Sequence, residues 1–180
     1  MANCDPNKHY NPARWVKDVE NPNRLIFLHG RESSGQGFKA IMLRGLFPPI
    51  LTPDFRGPLE KRMAQLASVL ADRSGWIIIG SSMGGLMGAL FTCQHPEQVD
   101  KLILLAPALV WPAFADSPPS PVSVPTIVYH GRGDTIIPLE PVRALSERVF
   151  ANLTFHAVDD DHRLRKTVQA IDWLSLVTLA

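Results

Sequence analysis

Apolar runs of strand length punctuate the chain at Leu25–Leu28, Trp76–Ile79, Leu102–Leu105, Thr126–Tyr129 and Leu153–Val158, with a weaker one at Pro49–Thr52. Most are apolar at nearly every position rather than at alternate ones. That is the pattern of parallel strands covered by helices on both faces. Segments of helical length lie between them. Residues 58–72 open on Pro58, suited to a first helical position, and set Met63, Leu66, Ala67 and Leu70 on one stripe. Residues 84–94, 139–150 and 164–179 also read as helices, and 37–46 as a shorter one. The alternation predicts one α/β domain over residues 1–180, with a mainly parallel sheet of about six strands and helices on both faces.

Two stretches depart from this alternation. Residues 76–93 carry no charge over 18 positions, close to the length of a membrane span. Four glycines and two serines in its middle divide it into a buried strand, a turn and a buried helix instead. Residues 111–125 hold five prolines in 15 positions, which predicts an extended surface loop without a helix.

Composition narrows the function classes. The 180 residues are 46% hydrophobic and 19% charged with a net charge of +1, an ordinary globular balance. No basic block points to nucleic acid, and the polar residues 1–23 lack the apolar core of a secretory signal. Cys4 and Cys93 form neither a disulfide framework nor a metal-ligand spacing, so both are expected as free thiols in a reducing, cytoplasmic setting. Neither a metal nor a cofactor is expected.

Open α/β sheets carry their chemistry just beyond the carboxyl ends of the strands. The predicted strands end in His29-Gly30-Arg31, Gly80-Ser81-Ser82-Met83-Gly84, His130-Gly131-Arg132-Gly133-Asp134 and Asp159-Asp160-Asp161-His162. A serine, an aspartate and a histidine thus project from one edge, in that chain order. Together with Asp54-Phe55-Arg56-Gly57, these pieces resemble the α/β-hydrolase superfamily, whose signature is G-x-S-x-G on a strand–turn–helix followed by the acid and the histidine. The resemblance covers roughly residues 24–179.

That resemblance implies Ser82 as nucleophile, His162 as the base that takes and returns its proton, and Asp134 as the group that orients His162. It also implies an oxyanion hole from the backbone N–H groups of Met83 and Arg31. Ser81 fits the glycine register less well than Ser82 and reads as a small neighbour. His29 and His130 read as structural histidines bonding loop backbone, Asp54 as a turn residue, and Asp159–Asp161 as a solvated turn. The interval 106–125 is too short for a helical lid, so an open, shallow site without a lid domain is expected. Trp111, Phe114 and Leu109, with Met83, would form an apolar acyl-binding wall. Arg31, Arg56, Arg132 and Arg163 on strand-end loops would make the mouth attractive to anions.

Within the superfamily, Gly80–Gly85 and Asp161-His162-Arg163 look most like small serine esterases and acyl-thioesterases. The expected function is hydrolysis of a small-molecule carboxylic ester or thioester through an acyl-enzyme. A non-catalytic binding protein on the same fold, and an acyltransferase, stand as alternatives.

Overall fold

A computed structural model describes residues 24–179; Cys4 and the expected N-terminal extension lie outside the described residues. The elements run β1 (Leu25–Leu28), α1 (Phe38–Leu46), α2 (Leu59–Leu70), β2 (Trp76–Ser81), α3 (Met83–Gln94), β3 (Val99–Leu105), α4 (Pro112–Ala115), β4 (Thr126–Gly131), α5 (Leu139–Val149), β5 (Leu153–Val158), α6 (Arg165–Ala170) and α7 (Trp173–Val177). The five strands pair in chain order, all parallel. One row of the sheet passes Ile26, Ile78, Leu102, Thr126 and Leu153, so all carboxyl ends point to one edge.

Alternation along each strand feeds two separate cores. Ile26, Leu28, Ile78, Leu102 and Leu104 pack on one face with Leu66 and Leu70 of α2, Leu86 and Met87 of α3, and Val142 and Val149 of α5. Leu25, Phe27, Ile77, Ile79, Ile103 and Leu105 pack on the other with Ala40 and Leu43 of α1, Val168 of α6, and Trp173 and Val177 of α7. A strand covered on both faces must be apolar at both parities, which explains the unbroken runs in the sequence. Residues 76–93 are the strand–turn–helix β2–α3, and no helix among the described residues is long and apolar enough to cross a membrane.

Four sequence expectations need correction. The sixth strand reduces to a single parallel bridge, Leu51 to Ile26 on the outer side of β1. Leu51 exchanges two backbone bonds there, accepting from Phe27 N–H at 2.8 Å and donating to Leu25 O at 2.9 Å. Pro48, Pro49 and Pro53 flank it and lack the N–H groups that a longer ladder requires. The helix expected over 164–179 is two, α6 and α7, and Asp172 caps the second by accepting from Ser175 N–H at 3.2 Å. Pro58 precedes the first helical residue of α2 rather than occupying it, with extended backbone at φ −66° and ψ 169°. The proline-rich loop contains the short helix α4, for which Pro112 supplies the first position.

Candidate active site

Ser82 stands between the last residue of β2 and the first of α3, with φ 54° and ψ −118°. Such backbone in a non-glycine residue costs about 1–3 kcal/mol and persists only where the surroundings fix it. Here three backbone bonds do so. Ser82 N–H donates to Leu105 O at 3.0 Å, and Ser82 O accepts from Leu86 N–H and Ala108 N–H, each at 3.1 Å. The flanking glycines are required by space. A Cβ on Gly80 would lie 2.5 Å from Gly84 O, and one on Gly84 would meet Leu28 O. Ser81 is 7% exposed and belongs to the strand, so the turn presents the second serine and withdraws the first.

His162 Nε2 lies 3.1 Å from Ser82 Oγ, and His162 Nδ1 lies 2.7 Å from Asp134 Oδ2. The structure therefore brings the three predicted side chains into one hydrogen-bonded line. Asp134 is fully buried and His162 16% exposed at its side chain. The other oxygen of Asp134 accepts the Ile136 and Ile137 N–H groups, both at 2.9 Å. Its loop is tied to that of His162 by Gly133 N–H donating to Asp160 O at 3.0 Å. Asp160 also organises the histidine turn, accepting from Asp161 N–H at 2.9 Å and from Thr167 N–H and Oγ1–H at 2.8 Å.

Burial pushes His130 below its ordinary range, so its ring is neutral. Its Nε2 faces Ile137 O at 3.0 Å, as expected of a structural histidine, but also Asp134 Oδ2 at 3.2 Å. Among the described residues His29 hydrogen-bonds to loop backbone, donating from Nδ1 to Gly30 O at 2.7 Å and accepting Phe55 N–H at Nε2 at 2.9 Å, with Asp54 Oδ1 at 3.9 Å from Nε2.

The loop after β1 closes on Ser82 from above, and a Cβ on Gly30 would lie 3.3 Å from Ser82 Cβ. Three side chains brace it. Arg62 donates to Arg31 O at 3.4 Å, Asp54 accepts Gly35 N–H at 2.5 Å, and Arg44 donates to Gly35 O at 2.5 Å. The Gly35 bond, with help from Arg56, holds the Asp54 carboxyl below its usual value. Asp54 is therefore a clamp on this loop rather than a simple turn residue. Among the described residues neither Arg31 N–H nor Met83 N–H has an acceptor, so both amides are available to a ligand. The Met83 N–H also opens a 12-residue helix, whose dipole favours negative charge there.

Ser82, His162 and both amide residues line a cleft of about 590 Å³. Trp111 lines it as expected, while Phe114 and Leu109 do not: both are fully buried in the first core. Val110 between them points into the cleft instead, with Ile136 and Ile137 from the Asp134 loop. Arg31 and Arg163 line it; Arg56 and Arg132 do not, and Arg56 pairs with Asp54 at 3.5 Å. Lys39 and Arg165 take their place. Neither residue follows a strand; they sit near the starts of α1 and α6. Among the described residues no group of three or more His, Cys, Asp or Glu side chains is placed to hold a metal ion.

The family model described as serine aminopeptidase, S33, matches residues 62–121, from α2 through the loop after β3. Solved structures extend the likeness over most of the chain. The alpha/beta hydrolase domain-containing protein 10 from mouse is 19% identical with a TM-score of 0.71, over 85% of this chain and 87% of that one. A hydrolase of the alpha/beta superfamily from Xanthomonas campestris pv. campestris is 25% identical with a TM-score of 0.68, over 87% of this chain and 97% of that one. An esterase from Exiguobacterium antarcticum is 16% identical with a TM-score of 0.68, over 85% and 91%. No curated protein sequence matches. The chain has the α/β-hydrolase fold, in a form whose sheet has five strands and whose described residues include no lid.

Proposed function

We propose that this protein is a serine hydrolase of carboxylic esters or thioesters, working through an acyl-enzyme. The observation that carries this reading is the continuous line from Asp134 Oδ2 through His162 to Ser82 Oγ, at 2.7 and 3.1 Å. A serine hydroxyl is a weak nucleophile at neutral pH and needs a base within hydrogen-bond reach. His162 Nε2 is in reach, and its Nδ1–H donates to buried Asp134, which fixes the tautomer that leaves Nε2 free to accept.

The steps follow from these roles. Ser82 Oγ attacks the acyl carbon while its proton passes to His162 Nε2, and the carbonyl oxygen becomes an oxyanion. Met83 N–H and Arg31 N–H donate to that oxygen, a type of interaction worth roughly 10²–10³ in rate per donor. His162 then protonates the leaving oxygen or sulfur, and the acyl group remains on Ser82. Water, deprotonated by the same nitrogen, releases the acid and restores the serine. A binding protein would have no need of a strained Ser82 held against a histidine and an aspartate. The cleft admits water beside the acyl-enzyme, which favours hydrolysis over acyl transfer.

Labelling with an active-site-directed phosphonate tests the assignment. Wild type and Ser81→Ala should label and hydrolyse a short-chain aryl ester. Ser82→Ala should do neither, with kcat reduced by roughly 10⁴–10⁶. Labelling of Ser82→Ala at the wild-type rate would refute the proposal.

A further inference from the structure

The cleft around Ser82 is divided by chemistry. Val110, Trp111, Ile136 and Ile137, from the loops after β3 and β4, make one side apolar. Trp111 is 40% and Ile136 69% exposed, large apolar surfaces left open at the mouth. Four cations line the same cleft, Arg31, Lys39, Arg163 and Arg165, with Glu32 the one carboxylate among its lining residues. In a chain of net charge +1 this is a local excess, so it calls for a local cause.

The usual structural explanation for such a group is internal pairing, and it fails here. Among the described residues no side chain of the four forms an ion pair or hydrogen bond, whereas Arg56, Arg62, Arg44 and Lys101 elsewhere do. Arg165 is held only by its stacking over the Phe38 ring, with its guanidinium carbon 5.4 Å from the centroid. Lys39 is half-buried, and its ammonium is pushed down to about 8 by that burial, against the pull of Asp160 and Asp161. A partly desolvated ammonium without a bonded partner is unfavourable until an anion meets it.

Mechanism then assigns the cationic side to one end of the substrate. His162 Nε2 must reach the leaving atom to protonate it. Arg163 is the next residue, and Arg165 lies one residue beyond Leu164, so the group attached to the leaving atom emerges beside them. Lys39 lies close enough to the same two arginines to feel their charge, and its neighbour Phe38 lies under the Arg165 guanidinium.

We infer that the site selects esters or thioesters whose leaving alcohol or thiol carries a carboxylate or phosphate, held by Lys39, Arg163 and Arg165, while an apolar acyl group lies along Val110, Trp111 and Ile136. This rests on the hydrolase reading above. It deepens that reading by fixing the charge of the leaving group rather than the length of the acyl chain.

Matched substrate pairs test it. One pair is 4-carboxyphenyl butyrate against neutral 4-carbamoylphenyl butyrate; the other is S-butyryl phosphopantetheine against S-butyryl pantetheine. The expected result is a kcat/KM about tenfold or more higher for the charged member of at least one pair, falling as salt rises from 20 to about 500 mM. Preference within the first pair alone identifies a carboxylate, and within the second a phosphate. The Lys39→Glu/Arg165→Glu double variant should lower the charged-to-neutral ratio at least about tenfold, and Lys39→Arg should preserve it. Equal kcat/KM within both pairs at low salt, with Ser82 still labelled by the phosphonate, overturns the inference and leaves the hydrolase reading standing. Failure of every ester together with absent labelling of Ser82 overturns the hydrolase reading itself.

Discussion

His130 and His162 share one carboxylate oxygen: Asp134 Oδ2 lies 3.2 Å from His130 Nε2 and 2.7 Å from His162 Nδ1. His130 Nε2 also faces Ile137 O, so that nitrogen must carry the proton, and the buried Nδ1 is left without a partner. A neutral, fully buried imidazole therefore packs behind Asp134, its one N–H bonded to Ile137 O, while His162 bonds the front. Removing a partner so that a buried acceptor such as Ile137 O is left unsatisfied costs about 1–3 kcal/mol. His130→Ala should lower unfolding stability by that order in urea titration. It should also lower kcat by roughly tenfold to a hundredfold with KM little changed, as expected of a positioning residue. A kcat equal to wild type would show that Asp134 is held by its Ile136 and Ile137 amide bonds alone.

The glycines of the Ser82 turn should tolerate no side chain. Gly84→Ala drives a Cβ into Leu28 O and to 2.8 Å from His29 O, backbone on both sides, so nothing flexible can give way. A loss of about 1–3 kcal/mol or more is expected, with activity lost in parallel. Thermal melts should therefore drop for Gly84→Ala, and a melt and an activity equal to wild type would show that the turn can move aside.

Asp160 gives the fold an acid-sensitive point. Burial raises its carboxyl, but hydrogen bonds from Thr167, Asp161 and Lys166 outweigh it and leave the group below its usual value. A depressed carboxylate contributes stability above the unfolded value of about 3.9, and that contribution is lost as pH falls through the folded value. Asp160→Asn should lower the urea midpoint at pH 7 and lose less than wild type between pH 5 and pH 3. Parallel curves for the two proteins would exclude this role.

Lys39 sets a limit on the alkaline side. Its folded value is about 8; Asp160 and Asp161 favour its charge, and Arg163 and Arg165 oppose it. As pH rises through that range the ammonium is lost, and preference for a charged leaving group should decline with it. Substrate anion raises the value, so the midpoint in kcat should lie above that in kcat/KM. Lys39→Arg keeps its charge and should hold the preference to higher pH. An unchanged midpoint in that variant would assign the titration elsewhere.

The site was more legible in the sequence than its walls. Ser82 and Asp134 follow buried strands and His162 follows the half-exposed edge strand β5, and each strand end is marked by a change from an apolar run to glycine and polar residues. What lines a cleft depends on which side of a short helix faces inward, and the loop 106–125 carries no period that reveals it. Phe114 and Leu109 are as apolar as Val110 and Trp111, yet the start of α4 turns the first pair into the core. Lys39 and Arg165 are polar residues in helical segments, where a solvated face is the usual meaning. Only the approach of α1 to α6 makes them neighbours. The break between α6 and α7 carries neither proline nor glycine; its one signal is the Asp172-x-x-Ser175 cap.

The single bridge at Leu51 bears on how the β1 edge of the sheet meets other copies of the chain. An exposed outer strand presents unpaired N–H and C=O groups on which another chain can extend the sheet. Leu51 occupies Phe27 N–H and Leu25 O on β1, and Pro48, Pro49 and Pro53 deny a foreign strand a continuous ladder beyond it. The segment that fails as a sixth strand thereby serves as a guard, ending the sheet where aggregation would otherwise begin.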